Sequence, residues 1–188
     1  MEERRRLLRE QMAPILAGCA AFDWEIGCGH GHFLTAYARA HPARVCVGID
    51  IASERIERAL RKRERASLPN LHFIQAEAQM FLEVLAPEVR LAAIYILFPD
   101  PWPKKRHHKN RLMQPGFLQS AARRAERGAR LFFRTDHRPY FEHTCDLLGR
   151  HPDWQIDAID APWPFEQPTV FQNRAPTFYS LTASVRQP

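Results

Sequence analysis

The run LAAIYILF at 91–98 is apolar almost without interruption. Such a run is typical of a central strand in a parallel sheet, where helices cover both faces. Six further strand-like runs alternate with helical segments along the chain: 22–26, 44–50, 71–75, 129–135, 154–160 and 177–185. This alternation predicts an α/β fold, with a seven-stranded, mostly parallel sheet and helices on both faces.

Local signals predict where the helices of this fold begin and end. Ser53 is predicted to cap the helix after the second strand, because serine side chains accept hydrogen bonds from the free amides of a helix start. That helix, SERIERALRKRERA, places its apolar residues on one side and its arginines on the other. A further helix is expected after Pro115, and Gly128 is predicted to end it before the fifth strand.

Length and composition narrow the class of protein. The 188 residues suit one domain spanning 1–188, in which residues 1–20 form a short helix or arm. A net charge of +6 favours an anionic partner, with nucleic acid first, although the same charge also keeps a protein soluble. Four cysteines without paired spacing argue against a zinc site, and no apolar run is long enough to span a membrane. We therefore expect a cytoplasmic protein without metal or membrane partners.

Acidic residues recur directly after the predicted strands. They stand at Glu25, Asp50, Glu77, Asp100 and Asp136. The carboxyl ends of parallel strands meet at one edge of a sheet, and ligands bind there, where the strand order reverses. We therefore expect these acidic side chains to line a common site.

The segment EIGCGHG joins the first strand to the next helix and carries Gly27, Gly29 and Gly31. Glycine allows the backbone to approach a ligand closely. A dinucleotide site would require glycine where His32 stands, and the Glu25 carboxylate would repel a pyrophosphate but attract an ammonium group. The segment therefore favours S-adenosylmethionine, which carries an α-amino group and a positive sulfonium but no phosphate.

Two further acidic residues fit the same cofactor. Asp50 ends the second strand, where a carboxylate can accept hydrogen bonds from both ribose hydroxyls. Glu77 follows the third strand and is placed to meet the adenine amino group. The alternative is a glycine-rich turn surrounded by solvated acids.

The loop also carries residues that could suggest other chemistry. His30 and His32 have no third ligand at a matching spacing, so ordinary loop histidines are favoured over a metal site. Cys28 lies near a helix N-terminus, which can lower a thiol pKa, but a small packed residue is the favoured interpretation.

The segment FPDPWPKKRHHKNRL at 98–112 joins a proline-rich corner to a dense basic run. The prolines fix φ and bias the residues before them towards extended backbone, so they are expected to hold Asp100 and Trp102 rigidly at the sheet edge. The basic run, Lys104 to Arg111, favours phosphate binding, although a solvated surface loop is the ordinary alternative. We expect the corner to hold a reacting base and the basic run to hold its backbone.

Together these motifs resemble those of the bacterial tRNA (guanine-N7)-methyltransferases. FPDPWPKKRHHKNRL matches the signature of that family, and EIGCGHG, GID at 48–50, EA at 77–78 and RTD at 134–136 match it in order and spacing. The resemblance implies a Rossmann-like class I methyltransferase fold. It also implies S-adenosylmethionine-dependent methylation of guanine N7 in the variable loop of tRNA.

The resemblance further implies roles for individual residues. The cofactor-binding residues would be Glu25, Gly27, Gly29, Asp50, Glu77 and Asp100, of which Asp100 would also be the catalytic carboxylate. The substrate-binding residues would be Lys104, Asp136, Thr169 and Gln172. The family usually has Asp or Asn at the position of Glu77 and Glu at that of Gln172, and both ends are shorter here.

Those departures leave two alternatives. One is a non-catalytic or altered-specificity tRNA-binding paralogue with the same fold. The other is a methyltransferase that acts on another RNA or on a small molecule. A monomer and a homodimer are both compatible with the sequence.

Overall fold

The computed structural model describes residues 1–167 and 177–186. Within them the strands are β1 (Ala21–Ile26), β2 (Cys46–Asp50), β3 (Leu71–Gln75), β4 (Arg90–Leu97), β5 (Ala125–Thr135), β6 (Trp154–Ile159) and β7 (Tyr179–Val185). The α-helices are α1 (Glu2–Leu16), α2 (His32–Ala40), α3 (Ser53–Ala66), α4 (Ala78–Val84), α5 (Pro115–Arg124) and α6 (Arg138–Arg150). A 3-10 helix, Lys105–Asn110, lies between β4 and α5.

The strands of the described chain form one seven-stranded sheet in the order β3-β2-β1-β4-β5-β7-β6. β1 to β5 run parallel, and β7 lies antiparallel between β5 and β6. The predicted mostly parallel sheet is therefore confirmed. Because β1 and β4 are neighbours, the strand order reverses between them, and the crevice at their carboxyl ends is the expected ligand position.

Helices cover both faces of the sheet, as the apolar run of β4 predicts. Ile94 and Ile96 belong to the apolar cluster under α1, α4, α5 and α6, whereas Tyr95 and Leu97 belong to the cluster under α2 and α3. This alternation follows from the two-residue period of a strand. The same alternation on β1 turns Glu25 towards α2, where the amide of Leu34 bonds its carboxyl.

Two predictions about helix ends are wrong, one on the cap of α3 and one on the end of α5. α3 begins at Ser53 with Ala52 in the capping position, and the Asp50 carboxylate accepts a hydrogen bond from the Ala52 amide at 2.9 Å. α3 thus begins where predicted, but Ser53 is its first residue, and no side-chain hydrogen bond caps it. α5 ends before Gly128, which lies inside β5, because a bulge opposite Leu91–Ala93 accommodates extra residues of that strand.

The N-terminal helix α1 is fastened to the core. Leu8, Met12 and Leu16 are buried, and Arg5 pairs with Glu83 of α4 at 2.8 Å. α1 is thereby held beside α4, close to the carboxyl edge of β3. In the part of the chain that the structure describes, no helix is both long and apolar enough to cross a membrane.

Candidate functional site

The five acidic residues predicted to share a site all lie at the carboxyl edge of the sheet, but they differ in burial. Glu25 and Asp50, at the ends of β1 and β2, are each 3% exposed. Glu77 follows β3, whereas Asp100 and Asp136 follow β4 and β5, and all three are exposed. The structure thus brings together a buried central pair. Within the described residues, no hydrogen bond or ion pair links the three exposed carboxylates to this buried pair.

Glu25 is a buried carboxyl with unused bonding capacity. Burial raises its pKa to about 8, a hydrogen bond from the Leu34 amide opposes the rise, and the negative charge of Asp50 adds to it. Its Oε2 has no hydrogen-bond partner among the described residues. An unpartnered buried polar atom is costly, so this carboxyl is suited to receive a cationic donor.

The Asp50 carboxylate is held in place by the surrounding backbone. Its Oδ2 accepts a hydrogen bond from the Gly29 amide at 3.0 Å, and its Oδ1 accepts one from Ala52. Arg55 on α3 lies 3.5 Å from Oδ2. A carboxylate has about four acceptor positions, so capacity remains for ligand hydroxyls.

The glycine loop lies directly over the end of β2. The amides of Gly27 and Cys28 donate to the Ile49 carbonyl at 2.8 and 2.9 Å, and Gly27 and Gly29 both have positive φ. A Cβ at either glycine would meet no atom within 4 Å, so their backbone faces open space. Gly31 has a different reason to be glycine, because a Cβ there would lie 2.4 Å from the ring of Phe73.

Glu77 has a structural role that the sequence reasoning missed. Its carboxylate accepts hydrogen bonds from the amides of Gln79 and Met80, both at 2.9 Å, and so caps α4. The signal was present, since an acid directly before a helix is a favourable cap. Glu77 also lines a cavity of about 330 Å³ together with Arg4, Leu7, Leu8, Gln11, Ile51, Gln75 and Ala76.

The contribution of α1 to this cavity was not predicted either. Arg4 and Leu7 come from the N-terminal helix and face Ile51, which is 69% exposed, from the loop after β2. Leu7 and Ile51 supply apolar surface and Glu77 supplies a carboxylate, and together these groups suit a flat heterocycle that carries an amino group.

A larger cavity, about 530 Å³, lies between α5 and α6. Its walls include Gly116, Gln119, His143 and Asp146, and none of the predicted site residues. We assign the functional site to the carboxyl edge of the sheet, because the buried acidic pair and the glycine loop lie there.

The proline corner is not built as the sequence predicts. Phe98 and Trp102 precede prolines, yet their φ values are +51° and +43°, in the left-handed region instead of the predicted extended one. Tertiary contacts hold them there: the Phe98 amide donates to the Arg134 carbonyl at 2.8 Å, and the Trp102 ring packs edge-on against His107. Each such residue costs on the order of 1–3 kcal/mol, and strain of this kind clusters at functional sites.

Arg111 does not belong with the phosphate-binding candidates, where the sequence analysis placed it. It is 3% exposed, donates to the Pro101 carbonyl at 2.8 Å and lies over the ring of Tyr140. It therefore fastens the proline corner to α6. The exposed cations beside Asp100 are Lys104, Lys105, Arg106 and Lys109.

An ion pair between the buried Arg134 and the exposed Glu166 supports the end of β5 next to Asp136. Arg134 bonds both carboxylate oxygens of Glu166, at 2.9 and 3.0 Å, and lies 4.0 Å from the centre of the Trp163 ring. The RTD motif indicated that Arg134 matters, but nothing in the sequence indicated that Glu166, 32 residues away, is its partner. The predicted substrate residues Thr169 and Gln172 lie outside the described residues.

The remaining loop residues show no sign of metal or thiol chemistry. Within residues 1–167 and 177–186, no group of three or more His, Cys, Asp or Glu side chains could hold a metal ion. Burial raises the pKa of the Cys28 thiol, so the helix N-terminus does not activate it.

Comparison with known proteins gives consistent names. The family model described as "Putative methyltransferase" matches residues 21–176. A tRNA (guanine-N(7)-)-methyltransferase of Streptomyces coelicolor is 42% identical over 145 residues, which cover 77% of this chain and 53% of that protein. The enzyme of the same name from Rubrobacter xylanophilus is 31% identical, with 84% and 73% covered. The chain spans about half the length of the first curated relatives it matches.

Solved structures agree on the fold. A 16S rRNA (adenine(1408)-N(1))-methyltransferase from Catenulisporales acidiphilia, solved with its cosubstrate SAM, has a TM-score of 0.65 at 19% identity, covering 96% of this chain and 92% of that one. The antibiotic-resistance methyltransferase Kmr has a TM-score of 0.62 at 24% identity, covering 95% and 93%. At these identities the likeness shows a Rossmann-like methyltransferase fold and nothing finer.

Proposed function

The chain belongs to the methyltransferase family whose model matches residues 21–176, and from that membership we propose that it methylates guanine N7 in tRNA. The methyl donor would be S-adenosylmethionine, and the target a guanosine of the variable loop. One observation carries the proposal. The proline corner, with Asp100 and its exposed lysines, lies at the same sheet edge as Glu25, Asp50 and the glycine loop, here called the cradle. In the cradle, the buried Glu25 carboxyl has an oxygen without a hydrogen-bond partner among the described residues.

The residues at the cradle fit the proposed cofactor group by group. Glu25 would accept hydrogen bonds from the α-ammonium group, and Asp50 would accept them from the ribose hydroxyls. The open backbone at Gly27 and Gly29 would allow the amino-acid portion to approach. When bound, S-adenosylmethionine supplies a methyl group on a positively charged sulfonium.

The cavity between α1 and the loop after β2 would receive the adenine ring. Ile51 would cover one face of the heterocycle. Each Glu77 oxygen accepts one backbone amide, so a second lone pair on either oxygen could accept the adenine amino group.

The chemistry proposed for Asp100 is electrostatic. Guanine N7 carries an in-plane lone pair and no proton, so its attack requires no general base. The purine becomes cationic during transfer, and the Asp100 carboxylate would stabilise that charge or orient the amino group of the cofactor. Its position on a corner fixed by Arg111 supports the role, because in-line transfer depends on precise placement of the base.

Substrate contacts would come from both sides of this corner. Lys104 and the neighbouring exposed cations would hold tRNA phosphates, which orient a nucleic acid without reading its sequence. Asp136 would accept hydrogen bonds from guanine N1–H and N2–H, the donors that distinguish guanine from adenine. Thr169 and Gln172 are proposed to complete the guanine contacts.

The test is transfer of a tritiated methyl group from S-adenosylmethionine to total tRNA by the purified chain, followed by cleavage at N7-methylguanosine to map the site. We expect one labelled guanosine in the variable loop and loss of transfer in Asp100→Ala. Full activity of Asp100→Ala would remove that residue from the chemistry. Absence of transfer and of cofactor binding by calorimetry, with tRNA binding intact, would indicate a non-catalytic tRNA-binding module.

We further propose that residues 1–188 act as one methyltransferase domain in the cytoplasm, as a monomer or a homodimer. Light scattering on the purified chain, with and without tRNA, separates the two states. A non-catalytic module is not favoured, because the curated relatives carry the names of enzymes.

A further inference from the structure

A second basic surface lies on the β2 side of the cradle, across the sheet edge from the 3-10 helix. On α3, cationic residues recur three and four positions apart, which places them on one side of the helix. They are Arg55, Arg58, Lys62 and Arg65, here called the α3 basic face. Ile56 and Ala59 face the core, so the α3 basic face flanks the buried side of the helix.

The α3 basic face continues into the glycine loop. Lys62 Nζ lies 2.9 Å from His32 Nδ1. The pKa of His30 is lowered by partial burial and then by the charges of Arg58, Arg55 and Lys62, so these groups lie close together. Arg55 contacts the Asp50 carboxylate, which ties this end of the surface to the cradle.

Apart from Arg55, the cations of this surface lack the carboxylate partners that cations have on other helices. On α6, Arg138 pairs with Glu142 at 2.8 Å, and on α1, Arg6 pairs with Glu10 at 2.7 Å. Arg58 and Lys62 have no carboxylate within 4.0 Å among the described residues, although α3 itself carries three glutamates. Positive side chains that lie side by side without carboxylate partners repel one another, and such a surface attracts a polyanion.

We propose that the α3 basic face, with His30 and His32, binds the phosphate backbone of the tRNA whose guanine enters from the β4 side. This inference rests on the proposed function. Neighbouring strands lie about 4.8 Å apart, so β2 and β4 are separated by roughly 10 Å. The two basic surfaces therefore begin beside strand ends on opposite sides of β1, and phosphates bound on both sides would fix the register of the RNA.

The test compares three double variants with the wild-type chain. Arg58→Gln/Lys62→Gln removes two charges from the α3 basic face and leaves Arg55 on Asp50. Arg39→Gln/Arg123→Gln is the matched control, because both arginines are exposed in the last turns of α2 and α5, at the opposite edge of the sheet. Arg58→Lys/Lys62→Arg keeps both charges. Filter binding of labelled tRNA from 50 to 300 mM KCl gives affinity and salt slope.

For Arg58→Gln/Lys62→Gln we expect a log–log salt slope shallower by about 2, and binding at 100 mM salt weaker by roughly ten- to a hundredfold. The control and charge-keeping variants are expected to match the wild type, and all three are expected to bind S-adenosylmethionine and to melt as the wild type does. A wild-type slope in Arg58→Gln/Lys62→Gln, or equal weakening in Arg58→Lys/Lys62→Arg, would overturn the inference while the proposed function stands. A wild-type chain that neither binds nor methylates tRNA would overturn both.

Discussion

Cofactor binding is expected to release a proton from Glu25, and Glu25→Gln is expected to abolish that release. Burial holds the pKa of this carboxyl at about 8, so the carboxyl is mostly protonated at neutral pH before the cofactor binds. A bound ammonium group favours the carboxylate, because an opposite charge within hydrogen-bonding distance stabilises the ionised form. The proton must therefore leave as the cofactor enters.

The magnitude follows from that pKa. At pH 7 a group with pKa 8 is about 90% protonated, so binding releases about 0.9 proton from Glu25. The α-amino group of the ligand, with a reference pKa of about 7.7–8.0, takes up about 0.15 proton at the same pH. The wild-type chain is thus expected to release roughly 0.75 proton at pH 7, and its affinity is expected to rise by about five- to sixfold per pH unit around that pH.

Isothermal titration calorimetry at pH 7 in buffers with different ionisation enthalpies measures this release directly. Glu25→Gln keeps the shape of the side chain and loses the titrating group, so it is expected to show only the small uptake by the ligand. Its affinity is expected to be lower at pH 7.5 and nearly independent of pH. Equal proton release by the wild type and Glu25→Gln would refute the assignment of the ammonium group to Glu25.

Three further outcomes are expected. Gly31→Ala is expected to destabilise the fold by about 2 kcal/mol or more in urea unfolding, because its new Cβ would lie 2.4 Å from the Phe73 ring and the backbone there has a positive φ. Gly116→Ala is the control: no atom lies within 4 Å of the new Cβ, and stability is expected to change by less than about 1 kcal/mol. Glu166→Gln removes the charged partner of Arg134 and is expected to cost about 1–2 kcal/mol, since Glu166 is 42% exposed, and a melting temperature equal to the wild type would contradict this. Glu25 has a raised pKa in the folded state, so the stability of the cofactor-free chain is expected to fall between pH 4.5 and 8, by up to roughly 5 kcal/mol more than in Glu25→Gln; parallel pH profiles would contradict this.

The sheet could be predicted from the sequence because its signals are local. The apolar run of β4 has side chains on both faces, and the structure places Ile94 and Tyr95 in opposite clusters. The placement of Glu25 and Asp50 at one edge followed from the parallel order of β1 and β2. Both inferences depend only on strand periodicity and direction, which neighbouring residues determine.

What could not be predicted depends on contacts between distant segments. Phe98 and Trp102 adopt a backbone that their prolines disfavour, because β5 and the 3-10 helix hold them. Arg111 belongs to a basic run in sequence, yet it is buried against Tyr140 of α6. The wall that α1 adds beside Ile51 likewise has no signal near either segment.

The cap of α3 and the end of α5 were also predicted wrongly. Ser53 has the right chemistry for a cap, but it is the first residue of α3, and Ala52 occupies the capping position before it. Gly128 resembles a helix terminator, but the bulge in β5 uses it within a strand. For Gly128, the register of β5 against β4 decided the outcome.

The most direct measurement is a crystal structure of the chain with S-adenosylhomocysteine, which keeps the amino-acid, ribose and adenine parts of the cofactor. We expect its amino group against Glu25, its ribose hydroxyls on Asp50 and its adenine between Ile51 and Glu77, with its sulfur turned towards the Asp100 corner. A ligand bound in the cavity between α5 and α6, or bound at the sheet edge without contact to Glu25 and Asp50, would contradict the account.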